Sequence, residues 1–179
     1  MTVWGGGKMS ETKAKGARPA AKHARKVPMR DFSQSLPMAL LRAREAVMRE
    51  FRPSLRQHGL TEQQWRILRA LAAVEAIEVT ELARVAFLLG PSLSRILRDL
   101  EARGLIQRDV DARDLRRGVL SISAKGLKLI ALVAPTSEAI YTSIAHRYGA
   151  RKLAALHKML GELEQSMGSD FEPGEPVDE

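Results

Sequence analysis

The sequence predicts a mainly α-helical chain with a small β wing, a winged helix-turn-helix part flanked by N- and C-terminal helices. Three observations carry that prediction. Apolar residues recur at intervals of three and four through most of residues 35–167, the period of helices with buried faces. The period falls to two in residues 105–110 and 119–122, which marks two short strands. The run that joins them, 111–118, is rich in Asp and Arg, as the tip of a solvent-facing hairpin is. Three helices followed by such a hairpin is the order in which the second helix of the turn enters the major groove and the hairpin touches an adjacent groove.

Each element follows from local chemistry. In the first helix Leu36, Leu40, Ala43, Val47 and Phe51 form one stripe and Leu41, Met48 and Leu55 a second, so it buries two faces and is either central or part of a dimer seam. Pro53 is expected to kink it near its end and Gly59 to stop it. Thr61 with Gln64 three residues on matches a capping box, and Leu60, Trp65, Leu68 and Leu71 then face inward. A short helix over 80 to about 88 turns Leu82, Val85 and Ala86 to one side. Gly90-Pro91 punctuates, and Leu93, Ile96, Leu97 and Leu100 make the inner face of the next helix. Gly104 is placed as a left-handed stop that lets Leu105 fold back on Leu100. After the hairpin, residues 124 to about 148 return to helix, bent at Pro135. Leu153, Leu156, Leu160, Leu163 and Met167 then form a seam that requires a partner helix.

The ends differ in composition from the middle. Residues 1–30 hold eight lysines and arginines against Glu11 and little to bury, which predicts a disordered basic arm. Residues 169–179 predict a disordered acidic tail, with Asp170, Glu172, Glu175, Asp178 and Glu179. The formal net charge of +8 suits a polyanion such as nucleic acid. The absence of cysteine excludes a disulfide framework, thiolate metal sites and any redox-active thiol. No apolar run approaches the roughly 18–20 residues of a membrane span, and none resembles a secretory signal. Neither a cofactor nor a metal is expected, and no membrane partner.

Opposite the buried face of 91–103 lie Ser92, Ser94, Arg95 and Arg98, two hydroxyls near the helix start and two guanidinium forks further along. Such groups suit phosphates and base edges. A solvated surface helix would look the same in isolation. The arginine density of the next loop favours DNA over a soluble turn whose charges cancel: Arg113, Arg116 and Arg117 lie together, with Asp111 and Asp114 placed to hold guanidiniums while another enters a minor groove.

The stretch Leu60-Thr61-Glu62-Gln63-Gln64-Trp65-Arg66-Ile67-Leu68, residues 91–105, the Asp111-x-Arg113-Asp114-x-Arg116-Arg117 loop, and Val119-Leu120-Ser121-Ile122-Ser123 with Gly126 resemble the MarR family of winged-helix transcriptional regulators. The resemblance covers residues 35–167. Within the family, Ala39-Leu40-Leu41, Ala43-Arg44-Glu45-Ala46, Phe51-Arg52-Pro53, His58 and Pro91-Ser92-Leu93 look like repressors of homoprotocatechuate (4-hydroxyphenylacetate) catabolic operons, from which the basic arm departs. The resemblance implies a bacterial, cytoplasmic homodimer that binds double-stranded DNA at a pseudo-palindromic operator and is released by a small aromatic acid. It divides residues 31–168 into a DNA-binding part (60–123) and dimerisation helices (35–57 and 124–167), with Leu36, Leu40, Leu153, Leu156, Leu160 and Leu163 in the dimer contact.

An aromatic carboxylate wants apolar walls and a cation. Arg44 is expected on the carboxylate, Met48 and Trp65 as walls, and Ser35 and His58 as polar contacts at the two ends of the first helix. Hydroxyphenylacetate-like acids and hydroxylated pyridine carboxylates both fit that description. The bland alternatives are that Trp65 is core, Arg44 pairs with a neighbouring carboxylate and His58 merely ends a helix. Two rival functions are weaker. Ser143 and His146 stand three apart on a helix, but no nucleophile elbow, phosphate loop or zinc helix accompanies them, so an enzyme is not expected. A non-specific architectural DNA binder acting through the basic arm is the remaining alternative.

Overall fold

A computed structural model describes residues 28–29, 31–110 and 118–168. The basic arm up to residue 27, the acidic tail from 169 and the loop arginines Arg113, Arg116 and Arg117 therefore lie outside the described residues. The chain divides into two units, the first ending at Ala39 and the second beginning at Leu40. Six helices are described: α1 (Leu36–Gln57), α2 (Glu62–Ala72), α3 (Val79–Ala86), α4 (Gly90–Ala102), α5 (Ala124–Tyr148) and α6 (Ala150–Met167). Three strands, β1 (Ile77–Glu78), β2 (Ile106–Val110) and β3 (Gly118–Ile122), form an antiparallel sheet in the order β1-β3-β2. The expected two-stranded wing thus gains a third strand, whose two residues pair Ile77 with Leu120 and Glu78 with Val119.

The capping box forms as the sequence predicts: Gln64 N–H donates to Thr61 Oγ1 at 3.2 Å and Thr61 N–H donates to Gln64 Oε1 at 2.8 Å. Behind it, Ile67, Leu68 and Leu71 of α2, Leu82 of α3, Leu97 and Leu100 of α4 and Leu120 of β3 are fully buried together. Each such side chain contributes about 1.5–3 kcal/mol through lost apolar exposure. The expected inner face of α3 needs one correction. Ala83 is buried with Leu82 and Ala86, whereas Val85 is 40% exposed, because on a helix of 3.6 residues per turn the core-facing arc here centres between 82 and 86. The helix also ends at Ala86 rather than near 88, with Phe87 in the left-handed region at φ 50°.

Gly104 ends α4 at φ 67°, and Leu105 N–H donates to Leu100 O at 2.9 Å, the expected fold-back. Ser123 then locks three elements. Its Oγ donates to Gly104 O at 2.7 Å and accepts from Gly126 N–H at 3.0 Å, and its own N–H donates to Leu105 O at 3.1 Å. The end of α4, the end of β3 and the start of α5 are thereby one joint.

Both α1 and α5 run through their prolines, Pro53 and Pro135, to Gln57 and Tyr148. Of α1, only Phe51, Ser54 and Leu55 are buried, and α6 has no buried residue. The ring of Phe51 meets that of Tyr141 on α5 at 4.9 Å. Among the described residues, no helix is long and apolar enough to cross a membrane.

Candidate functional site

Burial of Leu93, Ile96, Leu97 and Leu100 turns the other side of α4 outward, and Ser92, Ser94, Arg95 and Arg98 are all exposed. Leu89 precedes the helix and offers no side-chain cap, so the orphan N–H groups of the first turn have no side-chain acceptor at the cap position. Beside that end lies a cleft of about 310 Å³ lined by Gln63, Pro91, Ser92, Arg95 and Ile96. Arg95 has no hydrogen-bond or ion-pair partner among the described residues, and Arg98 Nε reaches only Ser94 O of its own helix at 3.5 Å. Two donors, an amide and a hydroxyl, thus stand around an exposed guanidinium at a helix start, an arrangement suited to phosphate and base-edge oxygens.

Gln63 was not singled out by sequence reading. Its only signal there is its place between the Thr61 cap and Gln64, which says nothing about proximity to α4. The proximity comes from a bond: Gln64 Nε2 donates to Asp99 Oδ2 at 2.7 Å, tying the first turn of α2 to α4. Asp99 also pairs with Arg103 at 3.4 Å.

The residues expected around a carboxylate fall into three places. Arg44 joins an ion-pair cluster between α1 and α2: it pairs with Glu62 and, at 2.9 Å, with Glu45, while Arg52 pairs with Glu45 at 2.8 Å and Glu62 at 3.1 Å. Arg66 approaches Glu62 at 3.7 Å and donates to Ala86 O at 2.7 Å, so the cluster reaches the end of α3. Three arginines face two carboxylates. Burial and, after it, the charge of Arg44 hold the Arg66 guanidinium below its usual range. The Arg52 hydrogen bond, chiefly, holds the Glu45 carboxyl below the usual carboxylate range.

Met48 is half-buried against the core, and Trp65 is buried with the Arg69 guanidinium 5.9 Å above its ring. Ser35 ends the short turn Phe32–Gln34, where its Oγ accepts from Met38 N–H at 3.3 Å. His58 lines a different cleft, with Arg103, Lys125 and Lys128. The residues expected at a dimer contact are open in the single chain: Leu36 is 51%, Leu40 40% and Leu160 38% exposed, and Leu153, Leu156 and Leu163 are only half-buried.

Comparison with known proteins bears on these features. The sequence profile of the MarR family matches residues 58–117. The homoprotocatechuate degradative operon repressor of Escherichia coli is 40% identical over 129 residues, which cover 72% of this chain and 87% of that protein. The crystal structure of NadR in complex with 4-hydroxyphenylacetate superposes with a TM-score of 0.67 at 38% identity, covering 76% of this chain and 97% of the other. CouR, a transcriptional repressor solved bound to a 23-mer DNA duplex, gives 0.69 at 27% identity over 77% and 98% of the two chains.

Proposed function

The chain belongs to the MarR family, and from that premise we propose that it is a dimeric repressor of an aromatic-compound catabolic operon, released from its operator by a small aromatic carboxylate. The observation that carries the reading is the outward face of α4, with Arg95 beside Ser92 and Gln63, and without a partner among the described residues, at a helix start that has no side-chain cap. Ser92, Ser94, Arg95 and Arg98 enter the major groove, and Arg113, Arg116 and Arg117 reach the neighbouring minor groove. Leu36, Leu40, Leu153, Leu156, Leu160 and Leu163 hold two copies at the spacing of two half-sites.

The relatives support an aromatic acid as effector, one being named for homoprotocatechuate degradation and one having been solved with 4-hydroxyphenylacetate. In this chain the ligand carboxylate competes with Glu62 and Glu45 for Arg44, which already pairs with both. Met48 and Trp65 supply apolar wall. Because Arg66 also holds the carbonyl at the end of α3, displacing Glu62 loosens the approach to α4. A ligand that favours one spacing of the two recognition helices lowers operator affinity by its differential binding to the two states.

Operator binding tests the reading directly. Arg95→Ala costs about 1–3 kcal/mol and relaxes preference at one operator position, whereas equal loss on all sequences demotes Arg95 to a phosphate contact. Deleting residues 1–30 weakens binding and leaves the preference for the operator over random duplex intact. Loss of the preference itself would mean an architectural DNA binder instead. Separately, 4-hydroxyphenylacetate at a hundred times its Kd raises stability by about 2.7 kcal/mol in a thermal melt. Arg44→Ala removes that shift if the carboxylate sits where proposed.

A further inference from the structure

Two positions in the turn between α3 and α4 break the local rules that a helix end and a helix start obey. Phe87 closes α3 in the left-handed region at φ 50°, a place that glycine fills without strain. Leu89 occupies the N-cap of α4, where Ser, Thr, Asp or Asn would supply the side-chain acceptor that leucine lacks. Both side chains are large, apolar and more than half exposed, at 56% and 57%. Packing asks for neither, because Leu88 between them is the buried anchor of the turn.

The turn is tied down on both sides. Leu88 N–H donates to Ala83 O at 3.0 Å, Phe87 N–H to Arg84 O at 3.2 Å, and Arg66 donates to Ala86 O at 2.7 Å. Leu89 O accepts from Leu93 N–H at 3.0 Å, which joins Leu89 to the first turn of α4. A lone exposed leucine needs no explanation. Two exposed apolar side chains that forgo a cap and a relaxed backbone, on a turn held in place, are an apolar surface presented at a fixed position.

Size, neighbours and charge decide what covers that surface. A stable protein partner needs about 800 Å² per side, well beyond what two half-exposed side chains offer. Along the chain the surface runs on into Pro91, Ser92 and Arg95 at the cleft, and the first turn of α4 holds no acidic residue. An apolar patch that continues into hydroxyl and guanidinium groups fits a polyanion carrying small apolar groups. In the major groove those groups are the 5-methyls of thymine, which side chains read by apolar contact.

We propose that Leu89, with Phe87 beside it, reads thymine methyl groups in each operator half-site, in addition to the polar contacts of Ser92, Ser94, Arg95 and Arg98. Leu89 is then a specificity-determining residue of the operator-binding reading, on which this assignment rests. The missing cap has the same cause: a hydroxyl or carboxylate here would bond the N–H groups of the first turn and leave the methyls without an apolar partner.

The test uses the full chain and the duplex that it enriches from a random pool, prepared with deoxyuridine in place of each thymine in turn. That change removes the methyl and keeps every hydrogen-bonding group of the base. The expected result is a Kd weaker by about fourfold at one or two positions of each half-site, the worth of one buried carbon group. Leu89→Ala lowers the thymine-over-uracil ratio at those positions and keeps the preference at the position read by Arg95. The double variant Phe87→Gly, Leu89→Ser restores an ordinary turn and cap, so it melts no lower than the parent chain while the ratio falls to about one. Enrichment of no duplex removes the operator reading and this assignment with it. An enriched duplex that is indifferent to uracil at every thymine overturns this assignment alone. So does a uracil effect that both variants retain, since it then belongs to the duplex and not to the turn.

Discussion

Gly126→Ala lowers the stability of the folded chain by about 3 kcal/mol, the upper part of the range for adding a methyl group where there is no room. A Cβ at this position would stand 2.2 Å from Leu105 O and 2.7 Å from Ile122 Cγ1. The first of these is a backbone atom that Ser123 N–H already holds at 3.1 Å, so it cannot swing aside as a side-chain tip would. Relief requires α5 to move away from β2, which breaks the Ser123 bonds to Gly104 and Gly126. For a chain of this length the loss corresponds to a melting temperature lower by about 6–12 °C. Calorimetry decides: a melting point within about 2 °C of the parent chain means that the helix start has slack that the packing does not show. Operator affinity measured well below the melting point is expected to fall as well, because the same joint carries α4.

That glycine illustrates what sequence reading reaches and what it does not. It was legible as part of a family-like pattern, but the reason for it is a contact with Leu105, which no periodicity announces. Elements whose cause is local were legible. The capping box needs only Thr61 and Gln64, the stop needs only Gly104, and the inner face of α4 needs only a spacing of three and four. The strand β1 was missed because two residues are too few to show alternation, and its pairing partner Leu120 lies more than forty positions away. Val85 was misplaced because a helix of eight residues leaves the apolar arc ambiguous by one position. Arg44 was legible as a cation on an apolar helix. Its pairing with Glu62, eighteen positions on, depends on how α1 and α2 cross, and so does the share that Arg52 and Arg66 take in the same carboxylate. Gln63 likewise becomes a candidate only once the bond from Gln64 to Asp99 brings the start of α2 beside α4.

Replacing Leu156 and Leu160 together with Asp is expected to abolish dimerisation and, with it, to weaken operator binding by about 10²- to 10⁴-fold. The factor is that by which linking two binding modules raises affinity when both half-sites are engaged at once. The physical ground is the state of α6 in the single chain. It is eighteen residues long and amphipathic, yet none of its residues is buried; Leu160 is 38% and Met167 75% exposed. A helix draws most of its stability in a protein from packing its apolar face rather than from intrinsic propensity. The proposed dimer covers the stripe 153, 156, 160, 163, 167, whose spacing of three and four is that of a helix lying along another helix. Leu36 and Leu40 are open in the same way on α1, and the proposed dimer assigns them to the same contact. Two aspartates in the seam would each have to be desolvated without a partner, at a cost well beyond the apolar contact they replace. Sedimentation of the double variant should give the protomer mass, with the circular dichroism of the winged part retained, because the core from Ile67 to Leu120 contains none of these side chains. A dimer of unchanged mass would move the contact to another surface. A monomer that still binds its operator at full strength would remove half-site spacing from the mechanism and with it the account of release by a ligand.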